Sequence, residues 1–416
     1  MFDVCIPTGR THVTTQEIIA LENQYILQTY IRPPIVLERG SGVYLYDTDG
    51  RRYLDFVSGL SVNAFGYGDA EILKTINEQA SRLIHVSNLY HTIPAPQLAQ
   101  LLVERSFADR AFFCNSGTES WEAALKFCRK WGHETFPSRP KYKFIAMHDS
   151  FHGRTTGSIA TTGQPKYHKG FTPLLPGVDF ATLNDLGSVK ALVTDETCAV
   201  LVEPVQAEGG VYPCTQEFLS GLRRLCDEKG MLLVFDEIQC GLGRTGTLFC
   251  YQQYGVEPDL MTLAKPLAGS LPIGVCLLRQ RVADCVHAGD HAATFGANAV
   301  TCAVAIQVFN RLANPDFLAG VRTRSEHLFG RLRGLQQRHP DKIKEVRGRG
   351  LIVGIVTAWK AGDIVTAFRD RNILACTAGP DVVRFLPPLI IEDRHIDEAV
   401  DTFDDILTKG IPEEKK

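Results

Sequence analysis

The chain has 416 residues, 44% of them hydrophobic, and a formal net charge of −3, which is enough apolar material for two packed domains. The weak negative charge excludes a dedicated nucleic-acid or anionic-membrane surface, so the expected partner is a small molecule or another copy of the chain. Twelve cysteines without a C-x-x-C pair read as reduced, mostly buried thiols, and no basic leader or membrane-length apolar run is present, so a cytoplasmic protein is expected.

Along the chain, Ile18, Ile19, Leu21, Tyr25 and Ile26 fall at near-helical spacing within residues 14–30, with Thr14 or Thr15 as cap and Pro33-Pro34 as stop. Residues 35–59 read as a small antiparallel meander cut by Gly40-Ser-Gly42 and Asp47-Thr-Asp-Gly50. The stretch Ser58-Gly-Leu-Ser-Val-Asn63-Ala-Phe-Gly66-Tyr-Gly68 is loop, either a pocket wall or a linker. From residue 70 to about residue 270, helical patterns alternate with apolar runs at residues 110–114, 143–147, 199–203, 232–236 and 260–264. Such alternation predicts an α/β fold: a mostly parallel sheet with helices on both faces, whose sites lie at the C-terminal strand ends. A long helical pattern then runs from Thr301 to about His339, before Pro340. The remainder, residues 346–400, holds shorter elements, with Leu351-Ile-Val-Gly-Ile-Val356 and Val382-Val-Arg384-Phe-Leu386 as strands. It is grouped with the meander in a smaller, discontinuous α+β domain, dividing the chain into 1–69, 70–310 and 311–416. The charged tail Glu413-Glu-Lys-Lys416 carries no structural demand.

Three predicted strand ends carry chemistry. The run Leu260-Met-Thr-Leu-Ala leads to Lys265 and a loop of Gly and Pro, where a partly desolvated amine becomes a better nucleophile toward carbonyl carbon. The run Met231-Leu-Leu-Val-Phe235 ends in Asp236-Glu237-Ile238-Gln239. The run Ala111-Phe-Phe-Cys114 turns through Asn115-Ser116-Gly117-Thr118-Glu119 into a helix carrying Trp121 and Trp131, and a helix start offers free N–H groups to a phosphate. Phosphate cup, carboxylate and lysine are the three groups that hold pyridoxal 5′-phosphate by its phosphate, ring nitrogen and aldehyde.

Other motifs point elsewhere. Gly241-Leu-Gly243-Arg-Thr-Gly246 matches a dinucleotide fingerprint but does not open a helix after a strand, so it reads as a glycine loop shaping a cofactor pocket. His148 with His152, and His287 with His291, have metal-pair spacing without the Glu of a zinc hydrolase, so no metal is expected. Ser116 lies outside a G-x-S-x-G context, which argues against a hydrolase nucleophile.

Taken together, Asn115-Ser-Gly-Thr-Glu119, Phe151-His-Gly-Arg154, Val202-Glu-Pro-Val-Gln206, Leu233-Val-Phe-Asp-Glu-Ile-Gln239, Gly241-Leu-Gly-Arg-Thr-Gly246 and Leu263-Ala-Lys-Pro266 resemble the class III pyridoxal-phosphate aminotransferases. Ser87-Asn-Leu-Tyr-His91, the loop ending at Asn63, and Val383-Arg-Phe-Leu-Pro-Pro388 draw the resemblance toward the acetylornithine and ornithine aminotransferase branch. The resemblance implies the fold type I architecture with a seven-stranded-type sheet, and a homodimer with shared active sites. It implies that Lys265 holds the cofactor and shuttles the proton, Asp236 keeps the ring nitrogen protonated, Gln239 bonds the ring oxygen and Phe151 stacks on the ring. Ser116, Gly117 and Thr118 would bind the phosphate from one subunit and Thr294 from the other. Arg154 would take the distal substrate carboxylate and Arg384 the α-carboxylate of the acceptor, with Glu208 pairing with Arg384 when that carboxylate is absent; Asn63 joins the substrate contacts.

The implied activity is transfer of a terminal amine from an ornithine or acetylornithine type of donor to 2-oxoglutarate by a ping-pong mechanism. Alternatives are a transaminase using pyruvate and amines without an α-carboxylate, an aminomutase on the same scaffold, and a non-catalytic cofactor-binding protein. The sequence departs from the branch at Trp121, where Asn is usual, at Ala207, where Gly is usual, and at Ala293, where Ser or Thr contacts acetylornithine.

Overall fold

The alternating pattern closes into one seven-stranded sheet in a computed structural model that describes residues 14–411. From edge to edge the strands are Arg110–Cys114, Gly274–Leu278, Leu260–Leu263, Leu232–Asp236, Thr197–Val202, Lys143–Met147 and Val178–Ala181. The three central strands are buried along their whole length, as expected when helices cover both faces of a parallel sheet. Alternate residues serve separate cores: Leu233, Phe235 and Met261 pack on one side, and Leu232, Val234 and Leu260 on the other with Trp121, Phe127 and Trp131.

Sequence periodicity did not reveal Val178–Ala181, a short half-exposed edge strand, or Gly274–Leu278, which runs antiparallel to both neighbours. The latter direction has a simple cause. The link from Leu263 to Gly274 is too short for the helix-bearing crossover that a parallel return requires. The strand ending at Cys114 nevertheless runs with the rest, so Cys114, Asp236 and Leu263 finish on the same edge of the sheet.

The first helix is Thr15–Tyr25, capped by a reciprocal Thr14 and Glu17 box, and ends short of the expected residue 30. None of its residues is buried, and the Gln28 side chain donates to the carbonyls of Glu22 and Ile26, satisfying helix-end acceptors without another turn. The long helix predicted to reach His339 is two, Ala299–Leu312 and Pro315–Arg338. Asn314 caps the second through its side chain and Pro315 takes the first helical position, a combination that starts a helix and cannot continue one.

The meander Leu37–Ser41, Tyr44–Asp47 and Arg52–Asp55 is completed by Ile373–Leu374, parallel to its third strand. The fully buried strand Val382–Phe385 sits between Ile352–Thr357 and Cys376–Thr377 in a further sheet. The glycine loop 241–246 does not shape the cofactor pocket, as its sequence suggested. Arg244 is buried and donates to the carbonyls of Leu351 and Pro387, and Arg322 donates to the carbonyl of Gly246, so the loop docks the large sheet against the C-terminal region. The tail 413–416 lies outside the described residues. Among the described residues, no helix is long and apolar enough to cross a membrane.

Candidate active site

Lys265 follows the strand Leu260–Leu263 by two residues, in a backbone conformation with φ +35°. A non-glycine residue there stores strain of about 1–3 kcal/mol, a common feature of functional sites. Beside it, Asp236 aligns with Thr262 across the parallel pair. On the far side, Ser116 caps the helix Gly117–Thr135 by accepting the N–H of Glu119, leaving the first-turn N–H groups of Gly117 and Thr118 at the wall of a cavity. That cavity has a volume of about 600 Å³, within the range of small-molecule sites.

Its walls include Ser116, Gly117, Thr118, Phe151, Arg154, Asp236, Gln239 and Lys265. Glu208 and Arg384 join through Gln239, which donates to Glu208 Oε1 at 3.2 Å and accepts from Arg384 Nη1 at 3.1 Å. Asn63 accepts a hydrogen bond from Ser270, itself a cavity residue. Thr294 does not line the cavity of its own chain: it is exposed on a loop held by Asn88, whose side chain donates to the carbonyls of Ala293 and Gly296.

Charge is distributed unevenly around the cavity. Lys265 opens on it but is otherwise enclosed by protein, and this burial pushes its amine down to about 8, with Glu208 opposing the shift. Burial pushes Glu203 well above the ordinary carboxylate value, and the charge of Asp236 pushes the same way. Burial would raise Glu208 too, but the charge and hydrogen bond of Arg384, at 2.7 Å, hold it below that value. Asp236 accepts from Ile238 N at 3.0 Å and from His152 Nδ1 at 2.7 Å.

Residues 26–407 match the family model for class III aminotransferases. The chain is a class III aminotransferase. Acetylornithine aminotransferase of Methanocaldococcus jannaschii is 43% identical over 94% of this chain and 98% of its own. Succinylornithine transaminase of Yersinia pseudotuberculosis is 43% identical over 91% and 93% of the two chains. The crystal structure of ornithine aminotransferase from Toxoplasma gondii superposes with a TM-score of 0.91 at 30% identity, covering 97% of this chain and 96% of that one.

The aminotransferase family depends on pyridoxal 5′-phosphate, and the donor set fits that cofactor. Two uncommitted backbone N–H groups suit its phosphate, Asp236 its ring nitrogen and a deprotonable amine its aldehyde. A Cβ on Gly117 would meet Ile238 Cγ2 at 2.9 Å, so the glycine allows the phosphate cup to approach the Asp236 loop.

Sequence reasoning missed three groups in this aminotransferase. Glu203 lines the cavity although its motif was visible. His152 bonds Asp236 rather than pairing with His148, whose ring stacks on Phe180. Trp121 stacks on His152. No signal in a single sequence links Trp121 to His152, or His152 to Asp236 across 84 positions.

One glycine ties the sheet to the site. A Cβ on Gly274 would lie 2.0 Å from the carbonyl oxygen of Ser116, so Gly274→Ala must displace the cap of the phosphate helix. The expected result is a stability loss of about 1–3 kcal/mol together with weaker cofactor retention. Urea denaturation and a cofactor titration read the two effects, and unchanged values for both would contradict this contact.

Proposed function

We propose that the enzyme moves the terminal amino group of ornithine or an N-acylornithine to 2-oxoglutarate in a ping-pong reaction. The observation that carries this reading is the buried Arg384, whose Nη1 donates to Glu208 Oε1 at 2.7 Å, Gln239 Oε1 at 3.1 Å and the Ala207 carbonyl at 3.0 Å. A charge-assisted pair on a half-buried side chain can be exchanged for an equivalent external carboxylate. With a donor that brings only an amine to the reacting end, Glu208 satisfies Arg384. With an α-keto acid, the substrate carboxylate takes its place, so one pocket serves both half-reactions.

Arg154 would hold the carboxylate at the other end. It is exposed, with its guanidinium 3.9 Å from the ring centroid of Tyr167 and 5.6 Å from that of Phe151. Those stacks aim a planar fork suited to bidentate carboxylate binding. The names of the relatives, which act on acetylornithine, succinylornithine and ornithine, support the donor class, and the missing hydroxyl at Ala293 leaves the acyl group to experiment.

When bound, pyridoxal phosphate supplies the electron sink that stores the amino group between the two halves. Gly117 and Thr118 would hold its phosphate with Ser116 fixing the helix start, Phe151 would cover the ring, Gln239 would bond the ring oxygen and Asp236 would balance the ring nitrogen. Lys265 would hold the cofactor by its aldehyde and, when freed, move the proton at Nζ. Asn63 lies within reach of the substrate side through Ser270.

The same reading includes a homodimer, in which the partner subunit's Thr294 completes the phosphate site. Thr294 adjoins Phe295, which is 60% exposed, and the surface also presents Leu89 at 84% and Ile93 at 76%, apolar side chains that a partner subunit would cover. A fully active monomer in sedimentation would remove this part. The buried free thiols fit a reducing compartment such as the cytoplasm.

Absorbance tests the activity. The visible band of the holoenzyme is expected to bleach when N-acetylornithine, N-succinylornithine or ornithine is added alone and to return with 2-oxoglutarate. Bleaching only by amines that lack an α-carboxylate, with recovery by pyruvate, would select the other transaminase reading. Bleaching without any need for a keto acid to complete turnover would select the aminomutase. Glu208→Gln should cut the preference for the terminal over the α-amine of ornithine by about tenfold, because it removes the charge that discourages an α-carboxylate donor. The ratio of kcat/KM values for the two amines measures it.

A further inference from the structure

Trp121 is fully buried, and its indole Nε1 donates to Thr161 Oγ1 at 2.8 Å. Its face lies parallel to the His152 imidazole, with ring centroids 3.9 Å apart and planes at 9°. His152 Nδ1 is 2.7 Å from Asp236 Oδ2. Because a carboxylate oxygen only accepts, Nδ1 carries the proton of that bond. The other nitrogen, Nε2, is buried without a hydrogen-bond partner, so no bond at the far end of the ring fixes its plane. Torsion about the bond from Cβ to an imidazole is soft, and the flat indole restrains it.

We propose that Trp121 is a positioning residue for the transamination: it holds the plane of His152, and through His152 it aims the free lone pairs of Asp236 at the ring nitrogen of the cofactor. Asp236 has one oxygen bound to Ile238 N–H and the other to His152, so rotating the imidazole rotates the carboxylate. Asn, usual at position 121 in this branch, offers only a small amide plane and no aromatic face. The inference rests on the reading of Asp236 as partner of the ring nitrogen.

A double-mutant cycle on cofactor affinity tests it. Apoprotein carrying Trp121→Leu, which keeps apolar bulk without the flat face, is expected to bind pyridoxal phosphate about tenfold more weakly, the scale of one hydrogen bond to a charged group. His152→Asn is expected to do the same. If Trp121 acts through His152, the double variant is no weaker than His152→Asn alone, and the pH midpoint of the visible band of the loaded protein moves equally in all three. Trp121→Phe, which keeps a ring face, should restore wild-type affinity and midpoint, and serves as the test in its own right should the leucine variant not fold: a loss with phenylalanine equal to that of His152→Asn overturns the proposal. Additive losses of about a hundredfold in the double variant, or an unmoved midpoint with Trp121→Leu, also overturn it. Asp236→Asn separates the two levels: unchanged affinity and midpoint there remove the reading of Asp236, whereas an additive cycle beside an impaired Asp236→Asn removes only the role of Trp121.

Discussion

Replacing Lys265 with alanine is expected to lower turnover by about five orders of magnitude, on the scale measured when a catalytic nucleophile is removed. The proposed role gives one atom two jobs: Nζ would hold the cofactor by its aldehyde, then carry the proton at the reacting carbon. The site supports both by burying the amine, which pushes it down to about 8. Desolvation penalises the charged form, so the free base, the nucleophile, is present at pH values where an exposed lysine is almost wholly protonated. Capture of pyridoxal phosphate by apoprotein should therefore accelerate as pH rises and level off above about 8. Stopped-flow absorbance across pH 6 to 11 reads the midpoint, and a value near that of an ordinary lysine would refute burial as the cause. Lys265→Arg should be as inactive as the alanine variant despite keeping the positive charge, since guanidinium cannot give up its proton. Activity in either variant within a hundredfold of wild type would remove Lys265 from the chemistry.

That the lysine was legible in the sequence follows from where it stands. Central strands buried on both faces read as uninterrupted apolar runs; Asp236 ends one, Lys265 follows another, and Ser116 follows the edge strand Arg110–Cys114, so their shared end of the sheet could be read before any coordinates. Helix and strand ends set by long-range or side-chain contacts were less legible. Gly274–Leu278 reverses direction because of a short link, and the helix predicted through residue 314 breaks where an Asn cap and a Pro meet. Pairings far apart in sequence were not legible from residue patterns at all. Arg384 and Glu208 are separated by 176 positions and were brought together only by family resemblance. The contact of His152 with Asp236 spans 84 positions, and nothing in the spacing of His148 and His152 pointed to it. Trp121 lies fully buried in the core, and what the sequence does not carry is which ring lies against it.

Replacing Asp236 with asparagine should lower turnover by about a thousandfold, the scale of losing one preorganised charged contact at a reaction centre. Asparagine keeps the shape, and its oxygen still accepts from His152 or Ile238, so the variant isolates charge from packing. Without the negative charge the ring nitrogen loses the partner that stabilises its protonated form, and the electron sink weakens. A nearby group then changes as well. Burial pushes Glu203 well above the ordinary carboxylate value and the charge of Asp236 adds to that push, so removing the charge favours its ionisation. Glu203 is itself tied to the N–H groups of Phe151 and Ala207, which keeps it from swinging to the ring nitrogen as a substitute, and raising pH should restore little activity. The measurements are single-turnover rates for each half-reaction between pH 6 and 9. A loss confined to one half, or recovery to wild-type rates at the upper end of that range, would mean that the charge at Asp236 is not what the ring nitrogen needs.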